Sequence, residues 1–293
     1  MVTGRLVRVG EVELCVESRG DPARPTLLLV SGAAASMDWW DDELCRRLAD
    51  GGRHVVRYDH RDTGRSTTGR PGAPTYDGQQ LARDCAGLIA ALGVGPVHLV
   101  GLSMGGGIGQ WLALRHPELL ASLTVVCTTA AGGLDGDRLP GPSPELTGVL
   151  ASPPPEPDWA DVESYVDWVL AGQSAFAGSI PLDEPRLRAL AATVHARSTD
   201  PAAADNHWLV VGGDGDDAAE DEPLDVHRIA TPTLVVHGSD DPLFPLPHAR
   251  ALAAAVPHAV LLVVPGMGHQ VPPPSTWDLV VPALLRHTGG AGR

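Results

Sequence analysis

The feature that most constrains this chain is a serine between two glycines, in the sequence Gly101-Leu102-Ser103-Met104-Gly105. Residues 97–100 before it predict a short buried strand, and residues 108–114 after it have helical periodicity. A strand that turns directly into a helix leaves no space for a side chain two residues before or after the serine, so glycine is needed at both positions. Such a turn projects the serine hydroxyl outward, as in the nucleophile elbow of acyl-transfer enzymes. The motif therefore predicts Ser103 as a nucleophile.

Short apolar segments alternate with helical patterns along most of the chain. The apolar run at residues 26–30 lacks polar alternation, which suits a strand covered by helices on both faces of a parallel sheet. The predicted strands span residues 6–9, 12–17, 26–30, 54–58, 97–100, 122–128, 233–237 and 260–264. The helices predicted between them span residues 38–48, 80–92, 108–115, 247–255 and 277–287. This order predicts an α/β fold with a mostly parallel, doubly wound sheet.

The alternation of strands and helices stops between residues 132 and 225. This region opens with Gly/Pro-rich sequence and ends in an acidic run at residues 214–222. Two of its segments, residues 160–170 and 184–197, have helical spacing and no strand pattern. We therefore predict a core domain of residues 1–131 and 226–293, with residues 132–225 inserted after the sixth strand as a helical cap domain. The alternative is an irregular excursion that covers the sheet.

The charge of the chain limits its partners. A net charge of −15 and a pI near 5.1 argue against nucleic-acid binding, because phosphates attract basic surfaces. No N-terminal segment joins a basic stretch to an apolar run, and no window approaches the roughly 18 uninterrupted apolar residues of a membrane span. We therefore expect a cytoplasmic protein with no nucleic-acid or membrane partner. The acyl-transfer motif at Ser103 indicates that its partner is a small-molecule ester substrate. The sequence is compatible with a homo-oligomer.

The sequence offers no pattern for a metal or an organic cofactor. The four cysteines, which lack the spacing of metal ligands and are expected to be buried thiols, are Cys15, Cys45, Cys85 and Cys127. The Gly/Asp-rich run at residues 212–217 lacks the closing glutamate and the flanking helices of an EF-hand-like loop. The glycines at 105–109 are followed by Gln110, where a dinucleotide fingerprint needs glycine. We expect neither a metal nor a cofactor.

A serine hydroxyl is a poor nucleophile at neutral pH unless a base lies within hydrogen-bonding reach. Of the twelve histidines, His269 is the best candidate, because it follows the predicted strand at 260–264 on a glycine-containing loop at the carboxyl edge of the sheet. His258 and His287 are expected at the solvated surface, and His98 is expected to be a hydrogen-bonded core residue. His269 is therefore the predicted base.

The base needs an acid that orients its imidazole. The loop after the preceding strand offers Asp240 and Asp241, of which at most one acts as the orienting acid. Pro242 restricts the backbone of the residue before it, which favours Asp241. The resulting chain order of nucleophile, acid and base is Ser103, Asp241, His269.

Backbone N–H groups are the expected oxyanion donors. The Met104 N–H lies at the positive end of a helix dipole, and a second donor is expected in the small-residue loop at 30–36, from Ala33 or alternatively Gly32. The cap is expected to line the substrate pocket. The predicted substrate contacts are Gly32, Trp168 and Trp208.

Taken together, these residues resemble the α/β-hydrolase superfamily over nearly the whole chain. Residues 57–66 look like the loop after the superfamily's fourth strand, with Asp62 where many members have glycine. The superfamily's aspartate four residues before a proline corresponds to Asp241 with Pro245, which selects Asp241 over Asp240. The resemblance implies the α/β-hydrolase fold with an inserted helical cap.

A closer resemblance is to the methyl esterases of anthracycline biosynthesis, of the aclacinomycin methylesterase type. It is carried by residues 48–52 and 57–66, by the Ser103 motif and by Pro265-Gly266-Met267-Gly268-His269. It implies a serine hydrolase that forms an acyl-enzyme and cleaves a methyl or related ester of a bulky polycyclic or polyketide metabolite. The alternatives are a cofactor-free haloperoxidase or perhydrolase, which usually lacks a large cap, and a non-catalytic binding protein with the same fold.

Overall fold

Eight strands form one sheet in the computed structural model, which describes residues 4–134, 139–211 and 223–289. The strands are β1 (Arg5–Val9), β2 (Val12–Arg19), β3 (Thr26–Val30), β4 (His54–Tyr58), β5 (Val97–Leu102), β6 (Leu120–Val126), β7 (Thr233–Gly238) and β8 (Val260–Val264). They lie in the order β1-β2-β4-β3-β5-β6-β7-β8. Strand β2 pairs antiparallel with β1 and β4, and the other five pairs are parallel. The expected mostly parallel sheet is confirmed.

The strands at the centre of this sheet are buried on both faces. All five residues of β3 are buried, as the continuous apolar run predicts for a strand with helices above and below it. Strand β5 lies between β3 and β6. Its carboxyl end therefore opens in the middle of the sheet, where loops from several strands can meet.

Helices cover both faces of the sheet. Those of the described residues are α1 (Asp42–Asp50), α2 (Gly78–Leu92), α3 (Met104–Arg115), α4 (Pro144–Ala151), α5 (Val162–Phe176), α6 (Glu184–Arg197), α7 (Asn206–Val211), α8 (Pro247–Ala255) and α9 (Trp277–Thr288). Helices α2, α3 and α8 contribute to one apolar cluster, and α1 and α9 contribute to the other. The sheet is therefore doubly wound. No helix in the described ranges is long and apolar enough to cross a membrane.

Helix α1 begins at Asp42, so the predicted start at residue 38 was wrong. The Asp41 carboxylate caps the helix by accepting hydrogen bonds from the N–H groups of Glu43 and Leu44, at 2.7 and 3.3 Å. Residues Met37–Trp39 form a separate 3-10 turn. Asp38 thus lies in this turn, and Asp41 caps the helix.

The insertion between β6 and β7 is helical where it is described. It contains α4 to α7, of which α5 and α6 correspond to the predicted helices, while α4 and α7 were not predicted. Helices α5 and α6 pack together through Tyr165, Val166, Leu187 and Ala191. Residues 135–138 and 212–222, which include the Gly/Asp-rich and acidic runs, lie outside the described residues. The domain boundaries remain a prediction; we call the helices α4 to α7 the cap.

Asp62 fixes the first residue of α7 to the loop after β4. Its backbone has a left-handed φ of 67°, a conformation that favours glycine. Its carboxylate accepts hydrogen bonds from Asn206 Nδ2 at 2.8 Å and from the Tyr76 hydroxyl at 2.6 Å. Both Asp62 and Asn206 are buried. An aspartate at this position therefore provides an anchor for the cap that glycine would lack.

Candidate active site

Ser103 occupies a strained turn between β5 and α3. Its φ of 51° and ψ of −114° are unusual for a residue with a side chain. The surrounding backbone holds this conformation, because the Ser103 N–H donates to Val126 O at 2.9 Å and its carbonyl accepts from Gly106 N at 2.8 Å. Thr128 Oγ1 also donates to that carbonyl, at 3.0 Å. The turn predicted from the motif is therefore present and is fixed by β6 and α3.

The two glycines of the motif are needed for steric reasons. A Cβ atom at Gly101 would overlap the backbone of Gly105, and a Cβ at Gly105 would lie 2.7 Å from the carbonyl oxygen of Ser31. These neighbours are backbone atoms, which cannot rotate away as a flexible side chain would. The two positions therefore tolerate no side chain, as the sequence predicts.

The side chains of Ser103, His269 and Asp241 form a continuous series of hydrogen bonds. Ser103 Oγ lies 3.0 Å from His269 Nε2, and His269 Nδ1 lies 2.9 Å from Asp241 Oδ2. The three residues are far apart in sequence and follow the carboxyl ends of β5, β7 and β8. The structure therefore brings together the nucleophile, acid and base that the sequence predicted, at hydrogen-bonding distances.

Asp241 is buried and has several hydrogen-bond partners. Its Oδ1 accepts from the backbone N–H groups of Leu243 and Phe244, each at 2.9 Å. Burial acts to raise the pKa of the Asp241 carboxyl, but the hydrogen bond and charge of His269 outweigh it and hold that pKa below its usual value. The carboxylate is therefore ionised and oriented toward the imidazole.

The neighbouring aspartate points elsewhere. Asp240 Oδ2 accepts hydrogen bonds from the backbone N–H and the hydroxyl of Ser179, at 3.2 and 2.5 Å, and Ser239 Oγ donates to Oδ1 at 2.7 Å. Hydrogen bonds from these hydroxyls lower the pKa of Asp240. Asp240 thus holds the segment between α5 and α6, and Asp241 faces His269.

Both phenylalanines of the chain pack against His269, a feature that the sequence analysis missed. The ring centroids of Phe176 and Phe244 lie 5.8 and 5.6 Å from that of the imidazole. The cap also contacts the base through its backbone, since the His269 N–H donates to Phe176 O at 2.9 Å. The imidazole is therefore held between the cap and the loop that carries Asp241.

Two of the expected oxyanion donors, Met104 and Gly32, adjoin Ser103, and Ala33 follows Gly32. Met104 is the first residue of α3, and a Cβ atom at Gly32 would lie only 3.6 Å from Ser103 Cβ. The turn at residues 32–35 is closed by a hydrogen bond from Ala35 N to Gly32 O at 3.3 Å. Among the described residues, the N–H groups of Ala33 and Met104 have no protein acceptor. Both groups are thus available to a ligand.

A family model of the α/β hydrolase fold matches residues 25–272. The chain belongs to the α/β hydrolase fold family. This hydrolase is 35% identical to the rhodomycin D methylesterase DauP of Streptomyces sp. (strain C5), over 98% of each chain. It is 34% identical to the rhodomycin D methylesterase DnrP of Streptomyces peucetius, again over 98% of each chain.

The solved structures agree on the fold. The structure of a 2-hydroxy-6-oxo-6-phenylhexa-2,4-dienoate hydrolase from Rhodococcus sp. strain RHA1 superposes with a TM-score of 0.74, at 21% identity and over 99% of each chain. Together with the sequence relatives, the family match confirms the resemblance to anthracycline methyl esterases. The α/β hydrolase is a carboxylic ester hydrolase.

A cleft of about 630 Å³ separates the cap of this α/β hydrolase from its core. Its volume is within the range of small-molecule sites. Gln270 and Val271, which directly follow His269, line one wall. Other lining residues come from the core and the cap, and they include Trp39, Trp277, Arg186 and Leu190.

The two cap tryptophans predicted to contact substrate are not among the residues that line the cleft. Trp168 packs between Trp159 and Tyr165, with ring centroids 5.4 and 6.2 Å apart, and Trp208 is 49% exposed on α7. The third predicted contact, Gly32, adjoins Ser103. Of the three residues, the structure thus brings Gly32 to the nucleophile.

The sequence analysis assigned positions to three other histidines of the hydrolase. His98 Nδ1 lies 2.8 Å from Ser122 Oγ in the core, as expected, and His258 is exposed. His287 was expected at the surface, but its Nε2 lies 3.1 Å from Leu123 O and burial lowers its pKa. That expectation was wrong because α9 packs this side chain against β6.

One buried group of side chains has the proximity of metal ligands. Atoms of Cys127, His237 and Asp241 lie within 4.8 Å of one another. Each is otherwise engaged, since His237 Nε2 lies 2.7 Å from Phe244 O, Asp241 bonds to His269, and the Cys127 thiol donates to Gly268 O at 3.5 Å. Burial raises the pKa of the Cys127 thiol, which disfavours the thiolate that a metal needs. His237 thus connects β7 to the loop of Asp241, through the carbonyl group of Phe244.

Proposed function

We propose that Ser103, His269 and Asp241 are the catalytic triad of this ester hydrolase. The observation that carries the proposal is the pair of hydrogen bonds, 3.0 and 2.9 Å long, that leads from a strained serine through an imidazole to a buried carboxylate. Asp241 accepts a hydrogen bond from the N–H at His269 Nδ1, which keeps the proton on Nδ1 and leaves Nε2 free to take the Ser103 proton.

The reaction has two halves. Ser103 Oγ attacks the ester carbonyl while His269 takes its proton, and the N–H groups of Met104 and of Ala33 (alternatively Gly32) stabilise the oxyanion of the tetrahedral intermediate. His269 then donates the proton to the leaving alkoxide, and an acyl-enzyme remains on Ser103. In the second half, His269 activates a water molecule that releases the acid and restores the hydroxyl of Ser103. These steps require no metal or organic cofactor.

The proposed substrate is a methyl ester of a bulky polycyclic metabolite. Two observations support it: 35% identity to a rhodomycin D methylesterase over nearly the whole chain, and a cleft of about 630 Å³ whose wall includes Gln270, the residue after His269. The cleft would hold the part of the substrate beyond the ester. The helical cap also favours this function over the cofactor-free haloperoxidase alternative.

A fluorophosphonate probe tests the nucleophile. Wild-type protein and the Ser174→Ala control, which removes an exposed serine on α5, should each acquire one adduct and hydrolyse p-nitrophenyl esters. Ser103→Ala should acquire no adduct and lose turnover. Undiminished labelling or turnover in Ser103→Ala would refute the triad, and a wild-type protein that is not labelled would favour the non-catalytic alternative. Peroxide-dependent halogenation without ester turnover would favour the haloperoxidase.

The substrate class can be tested through the cleft. Leu190→Trp adds volume to its wall, so KM for a polycyclic polyketide methyl ester should rise while hydrolysis of p-nitrophenyl acetate stays near wild type. Leu209→Trp is the matched control, because Leu209 is 53% exposed on α7. An equal effect of Leu190→Trp on both substrates would show that the cleft does not hold the polycyclic part.

A further inference from the structure

The loop expected to supply the second oxyanion donor has an unfavourable backbone conformation. In the turn at residues 32–35, the third residue is Ala34, with a left-handed φ of 57°. A turn of this kind corresponds to type II, which normally has glycine at its third position. Alanine favours the alternative type I turn, in which the peptide between residues 33 and 34 is rotated. A contact outside the loop must therefore stabilise the observed turn.

His207 of the cap supplies that contact. The Ala34 N–H donates to His207 Nδ1 at 3.0 Å, and His207 Nε2 lies 2.8 Å from the carbonyl oxygen of Arg61. Because Nδ1 must accept and a carbonyl can only accept, the imidazole is neutral and carries its proton on Nε2. Its complete burial lowers the pKa of His207 and so favours this neutral form.

The position of His207 is itself fixed. The preceding residue, Asn206, is bound by Asp62, and the His207 ring packs edge to face against His60 with centroids 5.8 Å apart. His60 Nε2 in turn lies 3.2 Å from the carbonyl oxygen of Ser31, at the start of the same loop. These contacts connect α7 to the loop that holds Gly32 and Ala33.

We propose that His207 is a positioning residue that holds the turn at residues 32–35 in its type II form and thereby orients the Ala33 N–H toward the oxyanion. The peptide that His207 binds joins Ala33 to Ala34. Its rotation would change ψ of Ala33 and φ of Ala34, so loss of the His207 contact lets the loop that carries the Ala33 N–H relax from its position beside Ser103. The inference rests on the proposed function. It assigns the cap a part in stabilising the transition state.

Two substitutions separate the hydrogen bonds of His207. Asparagine places its side-chain oxygen near the position of Nδ1 and can accept from Ala34, whereas glutamine reaches the position of Nε2 and can donate to Arg61. His207→Gln should lower kcat by about ten- to a hundredfold with little change in KM, because an oxyanion donor acts in the transition state. His207→Asn should keep kcat within about threefold of wild type.

A second-site substitution distinguishes positioning from general stability. Glycine adopts the left-handed conformation without strain, so Ala34→Gly should let the turn form without the His207 contact. We therefore expect the double variant Ala34→Gly/His207→Gln to recover most of the lost kcat. A residue that only stabilised the fold would lower the unfolding midpoint, and the change at Ala34 would not restore its turnover.

Equal kcat values for His207→Gln and wild type would overturn the inference, as would a loss that Ala34→Gly leaves unrescued. If His207→Gln does not fold, nitrogen-15 NMR of wild-type protein decides: a proton on His207 Nδ1 contradicts the inference, and a proton on Nε2 alone supports it. Turnover that persists in Ser103→Ala would instead be a failure of the proposed triad. The two failures are thus separate.

Discussion

Arg197 and Asp59 face each other through two parallel hydrogen bonds, Nη1 to Oδ2 at 2.8 Å and Nη2 to Oδ1 at 2.6 Å. Arg197 is the last residue of α6, and Asp59, which is fully buried, directly follows β4. Asp59 Oδ1 also accepts a hydrogen bond from the Met37 N–H at 2.9 Å. The pair therefore joins the cap to Met37, which follows the loop at residues 30–36. Its geometry is the bidentate one that only arginine provides.

Replacing Arg197 should destabilise the protein strongly. Arg197→Ala leaves the Asp59 carboxylate buried without its cation, so we expect the free energy of unfolding to fall by about 3–5 kcal/mol. Arg46→Ala, which breaks an exposed ion pair with Glu43, should leave the unfolding midpoint almost unchanged. Urea unfolding of both variants checks this, and similar midpoints for the two would contradict it.

Two glycines of α3, two residues apart, should respond oppositely to alanine. At Gly105 a Cβ atom would press on the carbonyl groups of Val30 and Ser31, whereas a Cβ at Gly107 would meet no atom within 4 Å. We expect Gly105→Ala to lower the free energy of unfolding by about 2–3 kcal/mol and Gly107→Ala to raise it by about 0.5–1 kcal/mol. Chemical denaturation measures both, and a stable Gly105→Ala would show that the turn can widen.

The two adjacent aspartates should differ in their effect on turnover. Asp241→Asn removes the charge that fixes the His269 tautomer, so kcat should fall by about 10⁴-fold while the fold is kept. Asp240→Asn retains an oxygen for Ser179 and should turn over ester near the wild-type rate. Steady-state kinetics decide between them; a greater loss in Asp240→Asn would reverse the assignment.

Protonation of His60 should destabilise the protein in weak acid. Burial lowers the pKa of His60 to about 3 from an ordinary value of 6.5, so between these values the unfolded chain binds a proton that the folded protein does not. The neutral, buried His60 therefore makes its full contribution to the free energy of unfolding above about pH 6.5. This contribution decreases as the pH falls, by about 2 kcal/mol at pH 5.

His60→Gln removes this titration while keeping a donor for Ser31. Between pH 7 and pH 5, the free energy of unfolding of wild type should therefore fall by about 2 kcal/mol more than that of the variant. The exposed His258 provides a matched control, and His258→Gln should follow the wild-type pH dependence. Parallel curves for wild type and His60→Gln would show that His60 does not cause the acid sensitivity.

Local sequence patterns predicted the parts of the molecule that local sterics and strand order determine. The proximity of Ser103, His269 and Asp241 was predicted from their places after strands, because parallel strands bring their carboxyl ends to one edge. The position of Pro242 and the superfamily spacing to Pro245 selected Asp241 over Asp240. The sheet followed from the same alternation.

Contacts between distant segments were beyond these patterns. The bond between Ala34 and His207 joins residues 173 apart, and that between Asp59 and Arg197 joins residues 138 apart. One signal existed, because the resemblance to the superfamily predicts glycine at the position of Asp62, but the partner Asn206 lies 144 residues away. Helix α7 was also missed, because its six residues are too few for a helical period to be read.

The placement of the cap between β6 and β7 has a consequence for exchanging specificity between relatives. A chimera that takes its cap helices, α4 to α7, from another hydrolase would keep Ser103, Asp241 and His269, since all three follow strands of the sheet. It would nevertheless lose the acceptor for Ala34 and the guanidinium for Asp59. A donor cap would therefore have to supply an imidazole or amide oxygen at the first site and an arginine at the second, or the transplanted pocket would come with slow turnover.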